Sequence, residues 1–136
     1  MSKKQAIAIM CDTQRRDMLG CYYGDNVRTP NLDNLASKGV LFERAYDCSP
    51  VCGPARSAIF SGTYPHTNGI WSNGFALGTD IATVGQRLSK EGICCAYIGK
   101  WHLDGSVFGH GKAPEGWSPE WWYDARNYLE EFDDEQ

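Results

Sequence analysis

Apolar and polar positions along this chain fall into short blocks whose period changes repeatedly. Gln5 to Cys11 (QAIAIMC) is a nearly continuous apolar run that stops at Asp12-Thr13. A run this short, bounded by polar residues, predicts a buried parallel strand with Asp12 and Thr13 at its carboxyl end. Thr29-Pro30 ahead of NLDNLASKG predicts a helix with Thr29 as N-cap, Pro30 in the first turn and Gly39 as stop. Val40 to Tyr46 (VLFERAY) predicts a second strand. The chain breaks at Pro50 and resumes as a helix from Gly53-Pro54 to about Ser61. Thr83 to Glu91 predicts a helix closed by Gly92, and Ile93 to Ile98 (ICCAYI) a third strand running into Gly99-Lys100-Trp101-His102. Leu103 to Ser118 is Gly-rich and irregular. Pro119 to Phe132 predicts a last helix, amphipathic through Trp121, Trp122, Ala125, Tyr128, Leu129 and Phe132.

Strands alternating with helices predict an α/β fold, a mostly parallel sheet flanked by helices. Ligands of such sheets bind beyond the carboxyl ends of strands, which draws attention to Asp12 and Thr13. Three strands make a small sheet whose edges need covering. Residues 1–136 therefore read as a single incomplete domain, with exposed edges that favour homo-oligomers.

Composition narrows the picture without deciding it. Hydrophobic residues are 42% and charged residues 22%, ordinary for a soluble globular chain. A net charge of −4 gives no electrostatic reason to expect nucleic acid or an anionic membrane as partner. An anionic substrate would have to be held by local positive groups. The apolar run after Met1-Ser2-Lys3-Lys4 is too short for a secretory core, and no stretch approaches membrane-span length. The six cysteines (Cys11, Cys21, Cys48, Cys52, Cys94, Cys95) show no secreted-type framework. Reduced thiols and a cytoplasmic location are the expectation, the alternative being a processed chain whose leader was replaced by a new Met.

Candidate chemistry concentrates at Cys52-Gly53-Pro54-Ala55-Arg56. A thiol at the N-cap of a Pro-started helix meets unpaired N–H groups and a partial positive charge. Arg56, four residues on, falls on the same helix face. Its planar fork suits a tetrahedral oxyanion such as sulfate or phosphate. The same string also fits a small buried Cys with Arg56 in a surface salt bridge. A thiol phosphatase would need a longer phosphate-cradling loop between Cys and Arg.

The wider sequence separates these readings. Pro50-Val51-Cys52-Gly53-Pro54-Ala55-Arg56-Ser57-Ala58-Ile59-Phe60-Ser61-Gly62 resembles the signature of the type I sulfatases of the alkaline-phosphatase superfamily. Gly99-Lys100-Trp101-His102 is similar to the end of a second signature of that family. The stretch from Asp12 to Tyr22, with Thr29-Pro30-Asn31-Leu32-Asp33 and Gly62-Thr63-Tyr64-Pro65-His66, resembles further family segments in the expected order.

The resemblance implies an alkaline-phosphatase-like fold, here truncated to its N-terminal part, and a sulfuric ester hydrolase, with no or very low turnover expected of this stretch alone. It implies that Cys52 is oxidised to formylglycine by a separate formylglycine-generating enzyme, and that the hydrated aldehyde attacks the sulfur of a sulfated small molecule or carbohydrate. Arg56 would hold the formylglycine. Lys100 would bind sulfate oxygens, and His102 would contact the nucleophile. Asn73, in the turn Trp71-Ser72-Asn73-Gly74, would contact the sulfate. Asp12, Thr13 and the modified Cys52 would belong to a site for Ca²⁺ or Mg²⁺, which take oxygen ligands.

The chain departs from the family pattern in having Asp12-Thr13 where many relatives carry adjacent acids. The family's remaining metal ligands would lie downstream of this stretch. A phosphonate monoester or phosphodiester hydrolase of the same superfamily shares a similar Cys motif, and a non-catalytic remnant is the third reading.

Other candidates read as structural. His66 follows Pro65 in a loop, and His110 lies in the Gly-rich segment. Cys94 and Cys95 point to opposite faces of a strand. Cys48 and Cys52 lack zinc-site spacing, although with His66 or His102 they could form an adventitious zinc site. Trp117, Trp121 and Trp122 read as a packing cluster.

Overall fold

The structure is a computed structural model describing residues 5–23 and 27–133. The chain divides into two compact units, Met1–Tyr46 and Asp47–Gln136.

The first unit carries a 3₁₀ turn (Arg16–Met18), the short helix α1 (Gly20–Tyr23) and α2 (Pro30–Lys38). Pro30 opens α2 as expected, but Thr29 makes no side-chain cap to it. Its hydroxyl accepts from Gly20 N (2.8 Å) and donates to Asp33 Oδ1 (2.9 Å), while Asp33 Oδ1 accepts from Cys21 N (2.8 Å). The Thr-Pro-Asn-Leu-Asp stretch therefore supplies acceptors to the exposed N–H groups at the start of another helix. Gly20 permits the approach, because a Cβ there would stand 2.5 Å from Asp33 Oδ2.

The strands expected at Gln5–Cys11 and Val40–Tyr46 do not form. Among the described residues neither segment pairs with a neighbour, and Ile7 (85% exposed) and Ile9 (84%) lie open. Strand structure is inter-strand hydrogen bonding, so an apolar pattern without a pairing neighbour cannot express it.

The second unit holds α3 (Cys52–Ser61), α4 (Pro65–Asn68), α5 (Val84–Lys90), β1 (Tyr97–Gly99), a 3₁₀ turn (Pro119–Trp121), β2 (Trp122–Asp124) and α6 (Ala125–Asp133). Helix α3 ends at Gly62, whose left-handed backbone (φ +71°) lets its N–H bond Ala58 O at 2.8 Å. Asn68 locks α3 to α4, donating to Ser57 Oγ (3.0 Å) and Thr63 O (3.1 Å) and accepting from Ile70 N (3.0 Å). Helix α5 begins with a reciprocal cap, Thr83 N to Gln86 Oε1 (2.7 Å) and Gln86 N to Thr83 Oγ1 (3.4 Å).

β1 and β2 run parallel, with Tyr97 opposite Trp122 and Gly99 opposite Asp124. The third expected strand is thus shorter and displaced toward its carboxyl end. The helix expected from Pro119 begins only at Ala125, because Trp122 is taken into the core and the segment 122–124 into the sheet. Buried Trp101, Leu103 and Trp122 form that core, with Phe60, Leu77, Tyr97 and Trp117 packed against it. Edge-to-face and stacked ring pairs at 4.9–6.0 Å tie these side chains together. Such pairs contribute about 0.5–1.5 kcal/mol each beyond burial. Among the described residues no helix is long and apolar enough to cross a membrane.

Candidate active site

Cys52 occupies the first position of α3, with Val51 as N-cap, one residue later in the helix than the sequence pattern suggests. The helix end also offers an anion fewer donors than expected. Pro54 has no N–H, and Gly53 N donates to Asn73 Oδ1 at 2.8 Å. This contact brings Asn73 to the residue beside Cys52. Gly53 eases this approach, since a Cβ would lie a tight 3.1 Å from Asn73 Oδ1. With its carbonyl oxygen engaged, Asn73 has its amide NH₂ as the group able to donate to a ligand.

Arg56 is 5% exposed, which excludes a surface salt bridge. Its Nη1 donates to the Lys100 carbonyl and lies 3.4 Å from the Tyr97 hydroxyl. Tyr97 in turn donates to the same carbonyl. Burial pushes the Tyr97 phenol above its ordinary range, partly offset by the charge of Arg56. Tyr97 is the residue that sequence reasoning missed. A tyrosine in a strand next to tryptophans reads as packing, and only the fold shows where its hydroxyl goes.

His102 is 2% exposed and has φ +58°. It stands between Trp101 and Leu103, each 3% exposed. A left-handed conformation for a residue with a side chain is uncommon and marks a backbone constrained by its surroundings. Thr13 (φ +57°) is the other such non-glycine residue among those described.

The second unit therefore hydrogen-bonds Gly53, next to Cys52, to Asn73 and Arg56 to Lys100, and buries His102 two residues beyond Lys100. Asp12 and Thr13 lie in the first unit, both exposed. One carboxylate and one hydroxyl fall short of the six or more oxygens that Ca²⁺ takes. Among the described residues no group of three or more His, Cys, Asp or Glu is placed to hold a metal, the adventitious Cys/His zinc site included. Among the described residues the donors therefore do not make up a complete divalent site. His66 is exposed and stacks on Tyr64 (5.5 Å), and His110 donates to Asp104 O at 3.2 Å, both structural roles.

A cleft of about 370 Å³ in the first unit is lined by Arg15, Arg16 and Arg44 among others. Arg15 pairs with Asp17, holding that carboxyl below its usual range, and Arg16 lies 4.6 Å over the Tyr22 ring.

A family model described as Sulfatase matches residues 4–135. The chain is 43% identical over 137 residues to an uncharacterized sulfatase, YidJ, of Escherichia coli (strain K12), covering 100% of this chain and 28% of that protein. It is 32% identical over 133 residues to the N-acetylglucosamine-6-O-sulfatase of Bacteroides thetaiotaomicron, covering 91% of this chain and 24% of that protein. A solved structure in complex with its substrate D-glucosamine-2-N,6-O-disulfate superposes with a TM-score of 0.65 at 33% identity, over 75% of this chain and 20% of that one. The chain spans about a quarter of the length of these curated relatives.

Proposed function

The chain belongs to the sulfatase family and shares its alkaline-phosphatase-like α/β fold; from that premise we propose that it carries the nucleophile-bearing part of a sulfuric ester hydrolase. The observation behind this reading is the hydrogen-bonded set that joins the start of α3 to Asn73 and Arg56 to Lys100. Cys52 is the precursor of formylglycine in this proposal, and Ca²⁺ or Mg²⁺ is the associated cation. Once made, formylglycine would supply a hydrated-aldehyde oxygen as nucleophile, and a bound cation would polarise the sulfate oxygens.

The chain's own residues bind and orient. Arg56 is held in a buried position one helical turn from Cys52 and offsets negative charge there. Lys100 directs its ammonium to the sulfate oxygens, its main chain fixed by Arg56 and Tyr97. Asn73 donates from its amide nitrogen to the bound ester. His102, flanked by the buried Trp101 and Leu103, moves a proton at the nucleophile. Asp12 and Thr13 would be this chain's own oxygen donors to such a cation.

A sulfated carbohydrate is the substrate class we favour, by likeness to the relative named for N-acetylglucosamine-6-O-sulfate and the complex with a disulfated glucosamine. The partner in maturation is a formylglycine-generating enzyme. The test is co-expression with that enzyme, peptide mass spectrometry across Cys52, and hydrolysis of aryl sulfate beside aryl phosphonate. Conversion of the thiol to an aldehyde is expected, with any turnover, however low, faster on sulfate than on phosphonate and absent in Cys52→Ala. An unconverted Cys52 would sink the reading, and faster cleavage of the phosphonate would move it to a phosphonate ester hydrolase.

A further inference from the structure

The Gly99-Lys100-Trp101-His102 turn is unusual in its backbone. Gly99 has φ +115° and His102 has φ +58°, so both ends lie in conformations that ordinary residues avoid. A turn bent this way needs something to hold it. Its middle carbonyl, that of Lys100, accepts from two buried or half-buried donors at once, Arg56 Nη1 and the Tyr97 hydroxyl.

The Tyr97 ring has little freedom to place that hydroxyl elsewhere. It stacks on Trp122 (4.9 Å, interplanar 22°) and meets Trp101 (5.3 Å), Trp117 (5.4 Å) and Phe60 (5.8 Å) edge-on. Its backbone is fixed by the parallel pairing of Tyr97 with Trp122. The hydroxyl is therefore presented by a rigid aromatic cage to two of the residues assigned to the chemistry.

We infer that Tyr97 is a positioning residue of the reaction: its hydroxyl clamps the Arg56 guanidinium and the Lys100 carbonyl together, so that the α3 end and the Lys100–His102 turn keep one relative geometry. This inference rests on the sulfatase reading for its catalytic consequence, but the clamp itself is a property of the fold. Tyr97 touches neither nucleophile nor ester in this assignment. It acts through Arg56 and Lys100, whose ammonium can meet a sulfate oxygen reproducibly only if its own backbone is fixed.

The hydroxyl must stay protonated to donate to Lys100, and burial favours that form while Arg56 opposes it. The groups that face it are Arg56, the Lys100 carbonyl and, on β2, the Asp124 carboxylate, which also favours the protonated phenol. Removing the charge of Arg56 must then raise the pH at which Tyr97 ionises.

Two measurements test this. The first is ¹³Cζ-tyrosine NMR titration of the chain, with the Tyr97 signal assigned by its loss in Tyr97→Phe. Arg56→Met is expected to move its midpoint upward, with Arg56→Lys, which keeps a charge, as the variant to use should Arg56→Met not fold; there the shift is smaller but upward. An unmoved midpoint in the folded variant overturns the clamp. The second is steady-state hydrolysis of an aryl sulfate by the formylglycine-bearing protein. Tyr97→Phe keeps the ring and is expected to retain the far-ultraviolet spectrum while kcat falls about tenfold or more, toward the hundredfold that a 1 Å misplacement costs. KM changes less than kcat. Tyr97→Phe with kcat within about twofold of the parent overturns the positioning role. A parent whose Cys52 is never converted overturns the sulfatase reading instead, and the titration still decides the clamp.

Discussion

Replacing Asp124 by asparagine tests the scaffold that carries Lys100. The Asp124 side chain is 1% exposed and sits at the junction of β2 and α6. Its Oδ2 accepts from Trp122 Nε1 (3.1 Å) and Gly111 N (3.1 Å), and its Oδ1 from Arg126 N (2.9 Å) and Asn127 N (3.3 Å). Both oxygens are therefore bonded to N–H groups, and no orientation of an amide can satisfy all four. Whichever way the substituted amide turned, its NH₂ would face two donors and leave them without an acceptor. Each buried orphan costs about 1–3 kcal/mol, so the isosteric change Asp124→Asn should cost about 2–6 kcal/mol. That is a large share of the roughly 5–15 kcal/mol by which typical domains are stable. A domain of this size loses roughly 4–8 °C per kcal/mol, so Tm should fall by about 10 °C or more. Asp124 is also the residue opposite Gly99 in the parallel pair, so the variant loosens the strand that leads into Lys100. Urea and thermal unfolding followed by circular dichroism measure the loss. Stability within about 0.5 kcal/mol of the parent, the range of an ordinary surface change, would refute the four-donor account.

A Cβ at Gly85 would stand 2.6 Å from Cε2 and Nε1 of Trp117. Overpacking of about 1–3 kcal/mol should outweigh the roughly 1 kcal/mol helix gain, so Gly85→Ala should lower the unfolding midpoint and shift tryptophan emission. The raised Tyr97 phenol makes folding favour the protonated form; its contribution is full below the unfolded value of about 10 and is lost as pH climbs through the folded value. Comparing urea midpoints at about pH 9 and about pH 11, on either side of that unfolded value, should show a smaller alkaline loss in Tyr97→Phe than in the parent. Both retain the like-signed contribution of Tyr123, which Glu131 pushes up to about 12. Ile7, Ile9, Val40 (79% exposed) and Tyr46 (87% exposed) leave apolar surface open in the first unit, so the isolated chain should self-associate and bind a hydrophobic dye. A clean monomer in sedimentation with no dye enhancement would count against it.

The candidate site residues were more legible in the sequence than the sheet. Cys52, Arg56, Lys100 and His102 are read from short strings whose residue types carry the meaning, and the fold brings Arg56 to Lys100 across 44 residues. Helices α2, α3 and α5 were legible because their signals are local: Pro30 in the first turn, Gly62 past the end, the Thr83–Gln86 cap. Strands are pairings, and the apolar run at Gln5–Cys11 says nothing about what it pairs with. β2 was hidden because Trp122 and Tyr123 continue an apparently amphipathic helix. Asp124 followed by Asn127 was the available signal, an N-cap residue with a polar partner three positions on. Tyr97 also meets Arg56 across 41 residues and Asp124 accepts from Gly111 across 13, contacts that no local pattern reports.

The strained positions argue in the same direction. Among the described residues the two non-glycine residues in the left-handed region, Thr13 and His102, are both ones the sequence singled out for chemistry. Such conformations cost about 1–3 kcal/mol each, and a β-branched threonine is among the residues least suited to them. Gly occupies the other positive-φ positions, including Gly99, Gly105 and Gly109 around the Lys100–His102 turn, so the fold uses glycine where no side chain is needed. At position 102 an imidazole stands where glycine would relax the backbone. Trp101 and Leu103 anchor that position in the core on either side, and the Arg56–Tyr97 clamp holds the carbonyl just before it. A strained residue kept in place by this much surrounding structure has its geometry set before any substrate arrives, which is what the role proposed for His102 requires.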